Sequence, residues 1–99
     1  MQILFMTRRM PGVADAAIAA RRLEEAAAVW KLVARGMIRD IWFAPDRPAV
    51  VGLLECASLE EARATMGALP MPAAGLIDFE FLTLAPYDQF GMLFDARFK

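Results

Sequence analysis

The apolar positions change their period several times along the chain, and each change marks an element. Ile3, Leu4, Phe5 and Met6 form a short unbroken apolar run before Thr7-Arg8-Arg9, the pattern of a strand that is apolar on both faces. Pro11-Gly12 breaks the chain, and Asp15 is the residue type of a helix N-cap. Residues 16–35 contain neither Pro nor Gly, are rich in alanine, and run up to Gly36, which predicts a helix. At about 100° per residue, Ile18, Val29, Leu32 and Val33 share one face of it. Leu23 and Trp30 flank that face, and Trp30 is expected in the core. Arg21, Glu24, Lys31 and Arg35 fall on the opposite side, whereas Arg22 and Glu25 project close to the apolar stripe.

Residues 38–43 are β-branched and aromatic and predict a second strand. The turn Pro45-Asp46-Arg47-Pro48 leads into a third strand over residues 49–56, so that these two strands form an antiparallel hairpin. Ser58-Leu59-Glu60-Glu61 is a capping box: Ser58 accepts the N–H of Glu61, and Glu61 reaches back. The helix it opens runs to about residue 69 and stops at Pro70, with Leu59, Ala62, Met66 and Leu69 buried. Residues 71–75 read as a connector. Residues 77–84 alternate, with Ile77, Phe79 and Phe81 on one face and Asp78 and Glu80 on the other. The order is βαββαβ. It predicts an α+β, ferredoxin-like fold with a four-stranded antiparallel sheet and two helices on one face.

That architecture leaves a sheet face uncovered although the strands carry large apolar residues on both faces. Tyr87, Phe90, Met92, Leu93, Phe94 and Phe98 add an apolar tail. Residues 1–86 therefore read as one domain, and residues 87–99 as a tail that docks on a partner subunit. A homodimer at least is expected.

Composition narrows the chemistry. The 99 residues include 59% hydrophobic ones and carry a net charge of −1, with no basic stripe, so nucleic acid is not an expected partner. The longest uncharged stretch is interrupted by Gly67, Pro70 and Pro72, so no membrane span is expected. The one cysteine, Cys56, suits a reducing cytoplasm and reads as a small core hydrophobe. There is no histidine, which removes Ser-His-Asp and Cys-His nucleophiles and His-ligated zinc. No metal site or cofactor is expected.

Six residues are candidates for a site. Glu25 beside an apolar stripe is costly unless it is paired or functional, and desolvation would tune it toward a general base. The alternative is a helical pair with Arg22 or Arg21. Simple alternation puts Arg39 on the side of Ile41 and Phe43, where a guanidinium would hold a carboxylate or enolate; its alternative is a pair with Glu80 or Asp78. Trp42 is a candidate ligand platform, with a core or interface residue as the alternative. Arg22, Glu80 and Tyr87 complete the set, Tyr87 as a hydroxyl at a pocket mouth.

Three segments carry a resemblance: Gly36-Met37-Ile38-Arg39-Asp40-Ile41-Trp42, Leu69-Pro70-Met71 and Asp78-Phe79-Glu80. Together they resemble the Gly-x-x-Arg-x-[Leu/Ile]-Trp, Leu-Pro-[Leu/Met] and Asp-x-Glu segments of the muconolactone Δ-isomerase family, over about residues 20–87. The resemblance implies a dimeric α/β barrel and assembly as homodimers or larger rings of dimers. It also implies cofactor-free proton transfer within a small unsaturated lactone. Arg39 and Trp42 match motif positions, Glu25 stands where the family often has an acid, and Asp40 stands where the isomerases carry His. The resulting expectation is a small isomerase or lyase acting on a carboxylated or lactone-like ligand. A non-catalytic binding or assembly module and a cofactor-free oxygenase are the alternatives.

Overall fold

In the computed structural model, residues 1–95 are described; the tail residue Phe98 lies outside them. Strand β1 (Gln2–Arg9) is twice as long as its apolar run. It pairs along its whole length with β4 (Ile77–Leu84), from Gln2 opposite Leu84 to Arg9 opposite Ile77. Ladder hydrogen bonds, not side-chain propensity, carry it through Thr7-Arg8-Arg9. Helix α1 (Asp15–Ala34) starts one residue before the expected point. Ala14, not Asp15, occupies the N-cap, and Asp15 instead pairs with the Arg9 guanidinium. The helix ends in a Schellman motif: Gly36, at φ 83°, donates to the Val33 carbonyl, and Met37 donates to Leu32. Leu32 and Met37 are both buried, and the turn delivers the chain into β2 (Ile38–Ala44).

The hairpin of β2 and β3 (Ala49–Glu55) is as expected. At α2 (Leu59–Gly67), Ser58 Oγ accepts the Glu61 N–H at 3.1 Å, while Glu61 reaches back to the N–H of Ala57, one residue before the cap. In place of a plain connector stands a one-turn helix, α3 (Pro70–Ala73). Pro70 favours it, because its missing N–H costs nothing at a first helical position.

The sheet order is β2-β3-β1-β4, antiparallel throughout. One face carries the core: Ile3, Phe5, Ile38 and Leu54 pack against Leu32 of α1 and Met66 of α2. Alternation in register puts Leu4, Met6, Trp42, Val51, Leu53 and Leu82 on the opposite face, which no helix among the described residues covers. Cys56 packs at the edge of the core. Trp30 is a correction to the sequence reading: it is 67% exposed and Leu23 86% exposed. Both lie more than 90° around α1 from the Ile18–Val29 line, so the sheet cannot reach them.

The four strands do not stay together along their whole length. The β1–β3 ladder runs from Gln2–Glu55 to Met6–Val51 and stops. Beyond it β1 stays with β4 as far as Arg9, and β3 stays with β2 as far as Ala49. At the divergence the Val50 N–H donates to Thr7 Oγ1 at 2.9 Å, a side chain standing in for a lost backbone acceptor. Past Leu84 the chain leaves the sheet. A 3₁₀ segment (Asp88–Phe94) follows, with Tyr87, Phe90, Met92, Leu93 and Phe94 all exposed. The radius of gyration of 17.0 Å exceeds the about 13 Å of a compact chain of this length, and the longest dimension is 60 Å.

Gly52 lies directly under the Phe5 ring. A Cβ there would collide with that ring and stand 2.7 Å from the Asp40 carbonyl oxygen. Gly52→Ala is expected to cost about 2–3 kcal/mol, as overpacking against backbone does. Urea denaturation followed by circular dichroism checks this, and an unchanged midpoint would show that the sheet yields freely there.

Candidate functional site

Where the two strand pairs diverge, α1 spans the gap and a cavity of about 430 Å³ remains between helix and sheet. Its walls are mainly apolar, including Phe5, Val29, Ile38, Ile41, Phe43 and Phe79. Four lining residues have polar side chains: Thr7 and Arg9 from β1, Arg22 and Glu25 from α1. Apolar walls with a few convergent polar groups are the composition of a small-molecule site.

Glu25 projects from the stripe side of α1. Neither Arg21 nor Arg22 pairs with it; Arg21 Nη1 instead binds Glu24 at 2.7 Å. The Glu25 Oε1 accepts the backbone N–H of Met71 at 2.9 Å. That amide belongs to the first turn of α3 and has no intrahelical acceptor, so Glu25 caps α3 from another element. Burial pushes the Glu25 carboxyl above its usual range; the Met71 N–H opposes this and the neighbouring Glu24 charge adds to it. A hydrogen bond from a neutral amide thus only partly offsets desolvation.

Arg22 lines the same wall, makes no ion pair among the described residues, and acts through space on Asp15. Arg9, at the sheet end, is tied to Asp15, whose carboxyl it holds below the usual range chiefly through that hydrogen bond. Arg9 is thus offset by Asp15, and the charged side chains left facing each other on the cavity lining are Arg22 and Glu25. Thr7 Oγ1 already accepts from Val50, which leaves its own proton free to be donated.

The structure separates the remaining candidates from this cavity. Arg39 was expected beside Ile41 and Phe43, but β2 carries a bulge between Ile38 and Asp40. Ile38 and Ile41 both reach the cavity although three residues apart, and Arg39, the extra residue, is exposed and outside the lining. Neither alternative partner holds it: Asp78 is bound by Arg8 at 3.1 Å, and Glu80 makes no ion pair among the described residues. Trp42 and Glu80 sit on the uncovered sheet face, and Tyr87 lies on the tail with its hydroxyl donating to Gln89. Sequence reasoning missed Thr7 and the Met71 amide, and it left Arg9 as an exposed residue at the rim beyond the first strand. The alternation Ile3, Phe5, Thr7, Arg9 was the available signal, hidden by ending the strand at Met6. No group of three or more metal-ligating side chains occurs among the described residues, and no helix there is long and apolar enough to cross a membrane.

A folded-state carboxyl raised above its unfolded value favours the protonated form. Its stabilising contribution is full below the unfolded value and is lost as pH rises through the folded one. Glu25→Gln keeps an acceptor for Met71 without a charge to desolvate. At pH 7 the variant should match or exceed the parent in urea denaturation, and the difference should shrink toward pH 4. A variant that is clearly less stable at pH 7 would mean that the charge itself holds the fold.

Among curated proteins no sequence matches the chain. Among solved structures, muconolactone isomerase aligns with a TM-score of 0.70 at 19% identity, over 88% of this chain and 91% of that one. The 5-chloro-2-hydroxyhydroquinone dehydrochlorinase of Burkholderia phenoliruptrix, solved with 2,5-dihydroxybenzoquinone, aligns with a TM-score of 0.63 at 18% identity, over 86% and 94%. At that identity the two establish a shared fold. The family model described as muconolactone delta-isomerase matches residues 3–89, which is nearly the whole of the fold, and the chain therefore belongs to the muconolactone delta-isomerase family.

Proposed function

We propose that the chain is a cofactor-independent isomerase or lyase that moves a proton within a small, carboxylated or lactone-like anion. The observation that carries this reading is the juxtaposition in one apolar cavity of Glu25, a carboxylate with its proton affinity raised by burial, and Arg22, which makes no ion pair among the described residues. Glu25 as carboxylate takes a proton from a carbon activated by an adjacent carbonyl or double bond. The electron pair left behind delocalises onto the conjugated oxygen, where Arg22 and Arg9 hold the negative charge. Glu25, now a neutral acid, returns the proton to the far end of the conjugated system. Bonds and charges balance over the cycle, and no redox partner is consumed.

In this reading Arg22 takes the anion-holding role first sought in Arg39. The apolar sheet face of Leu4, Met6, Trp42, Val51, Leu53 and Leu82 is the surface on which a second copy packs, as sheet on sheet, to give the dimeric α/β barrel. The reducing cytoplasm suits its free Cys56. A second reading has one observation in its favour. Glu25 already has a structural task in capping α3, and a binding module without catalysis would need no more of it.

Solvent deuterium exchange into unsaturated lactone acids, muconolactone among them, separates the two. Glu25→Gln should slow exchange by about 10²–10⁴-fold with the fold intact, the range expected for loss of a general base. Arg22→Gln should chiefly raise KM. Exchange that survives Glu25→Gln would leave the binding module. Independently, sedimentation at micromolar concentration should give a dimer or larger species, and Trp42→Asp with Leu82→Asp should shift it to monomer. A well-behaved monomer of the parent chain would remove the sheet face as an interface.

A further inference from the structure

We propose that the outward face of α1 is an interface of its own, on which two copies of this chain pack antiparallel, helix against helix, about a two-fold axis beside Ala27. It is separate from both the cavity and the uncovered sheet face. Its large side chains are Leu23 and Trp30, which are 86% and 67% exposed. They stand seven residues apart, close to two turns of helix, so one lies above the other on the side of α1 turned away from the sheet.

Between and beyond them the same side stays apolar. Ala16, Ala20, Leu23, Ala27, Trp30 and Ala34 follow one another at alternating steps of four and three, and all are exposed. That spacing is the apolar seam by which one helix packs along another. From Ala16 to Ala34 it is about 27 Å long, at about 1.5 Å per residue. The four alanines allow a second backbone to come close and leave hollows around Leu23 and Trp30 for large side chains to fill. A helix that met only water on this side would carry polar residues there.

Charge names the occupant. Glu24 and Lys31 border the seam on the same flank, and the other flank carries Ala19 and Ala26. In an antiparallel pair about a two-fold axis at right angles to the helices, like flanks meet. An axis passing between residues 27 and 28 lies equally far from Glu24 and Lys31, so it sets Glu24 of each copy against Lys31 of the other. The same axis brings Leu23 of one copy beside Trp30 of the other. A parallel pair would turn both charges toward the alanine flank. Glu24 gives only Oε1 to Arg21, and Lys31 makes no ion pair among the described residues. A seam that is apolar along its middle and complementary to itself in charge along one edge fits a second copy of this chain. One helix face is smaller than the about 800 Å² per partner of a standard interface, so this contact forms above micromolar concentration.

Disulfide trapping in the full chain at sub-millimolar concentration tests it, with mass spectrometry assigning each link to its cysteines so that Cys56 can stay. Ala27→Cys should link to itself across the axis under mild oxidation. Ala20→Cys and Ala34→Cys should each link poorly to themselves and readily to each other when mixed. Arg63→Cys, exposed on α2, measures random collision. Glu24→Lys should lower the Ala27→Cys yield about tenfold, and Glu24→Lys with Lys31→Glu should restore it. Three results would each overturn the interface: an Ala27→Cys yield no higher than that of Arg63→Cys, Ala20→Cys and Ala34→Cys linking to themselves in preference to each other, or charge reversal without rescue. Trapping needs neither turnover nor the sheet face. The same yields are expected in Glu25→Gln protein and in protein carrying Trp42→Asp and Leu82→Asp, so failure of the catalytic reading leaves this interface untouched.

Discussion

The separation of two strand pairs at Met6 and Val51 is the constraint on which the rest of this structure depends. A four-stranded sheet whose ladders all ran to the end would bring β1 and β3 together under α1 and leave no room between them. Here the ladder ends three residues before β1 does, and the Thr7 hydroxyl satisfies the amide that the divergence orphans. An unpaired buried amide costs about 1–3 kcal/mol, so a single threonine removes the main penalty for opening the sheet. The gap is then lined by the side chains that the diverging strands carry toward the helix. Both strand pairs keep their own ladders to the end.

Glu25 shows how the same arrangement ties stability to chemistry. A half-buried carboxylate is a liability in a small domain, and the Met71 amide only reduces it. The hydrogen bond nevertheless does two things at once. It satisfies a helix terminus in α3, and it fixes the rotamer of the one acidic side chain in the cavity. A base held by a neutral donor, not by a cation, keeps the raised proton affinity that an ion pair would cancel. Arg21, one turn back on α1, is drawn off by Glu24 and does not pair with Glu25.

The fold was legible because its signals were redundant. Capping box, turn prolines, the glycine at the end of α1 and the alternation of β4 each pointed to the same βαββαβ order. Arg22 and Glu25 were legible for a related reason: polar side chains that break a helical stripe are visible from spacing alone. Arg39 was not, since alternation counts residues and a bulge inserts one; nothing in Ile38-Arg39-Asp40 announces it. Thr7 and Arg9 were hidden because their strand is prolonged by a partner seventy residues away in sequence, information that no local pattern holds. Trp30 was misplaced by treating a flanking position as a buried one, although a helix on a flat sheet buries little beyond its central stripe.

Gly52 gives the cavity a property that its lining does not reveal. Phe5 forms part of the cavity wall, and it lies where it does because the residue on the neighbouring strand has no side chain. The size of the chamber is therefore governed from outside it, by a position that never meets a ligand. Within this fold, a change of ligand size can be reached by altering the support of the wall as readily as the wall itself. Ligand-touching residues alone therefore do not set the volume of this chamber.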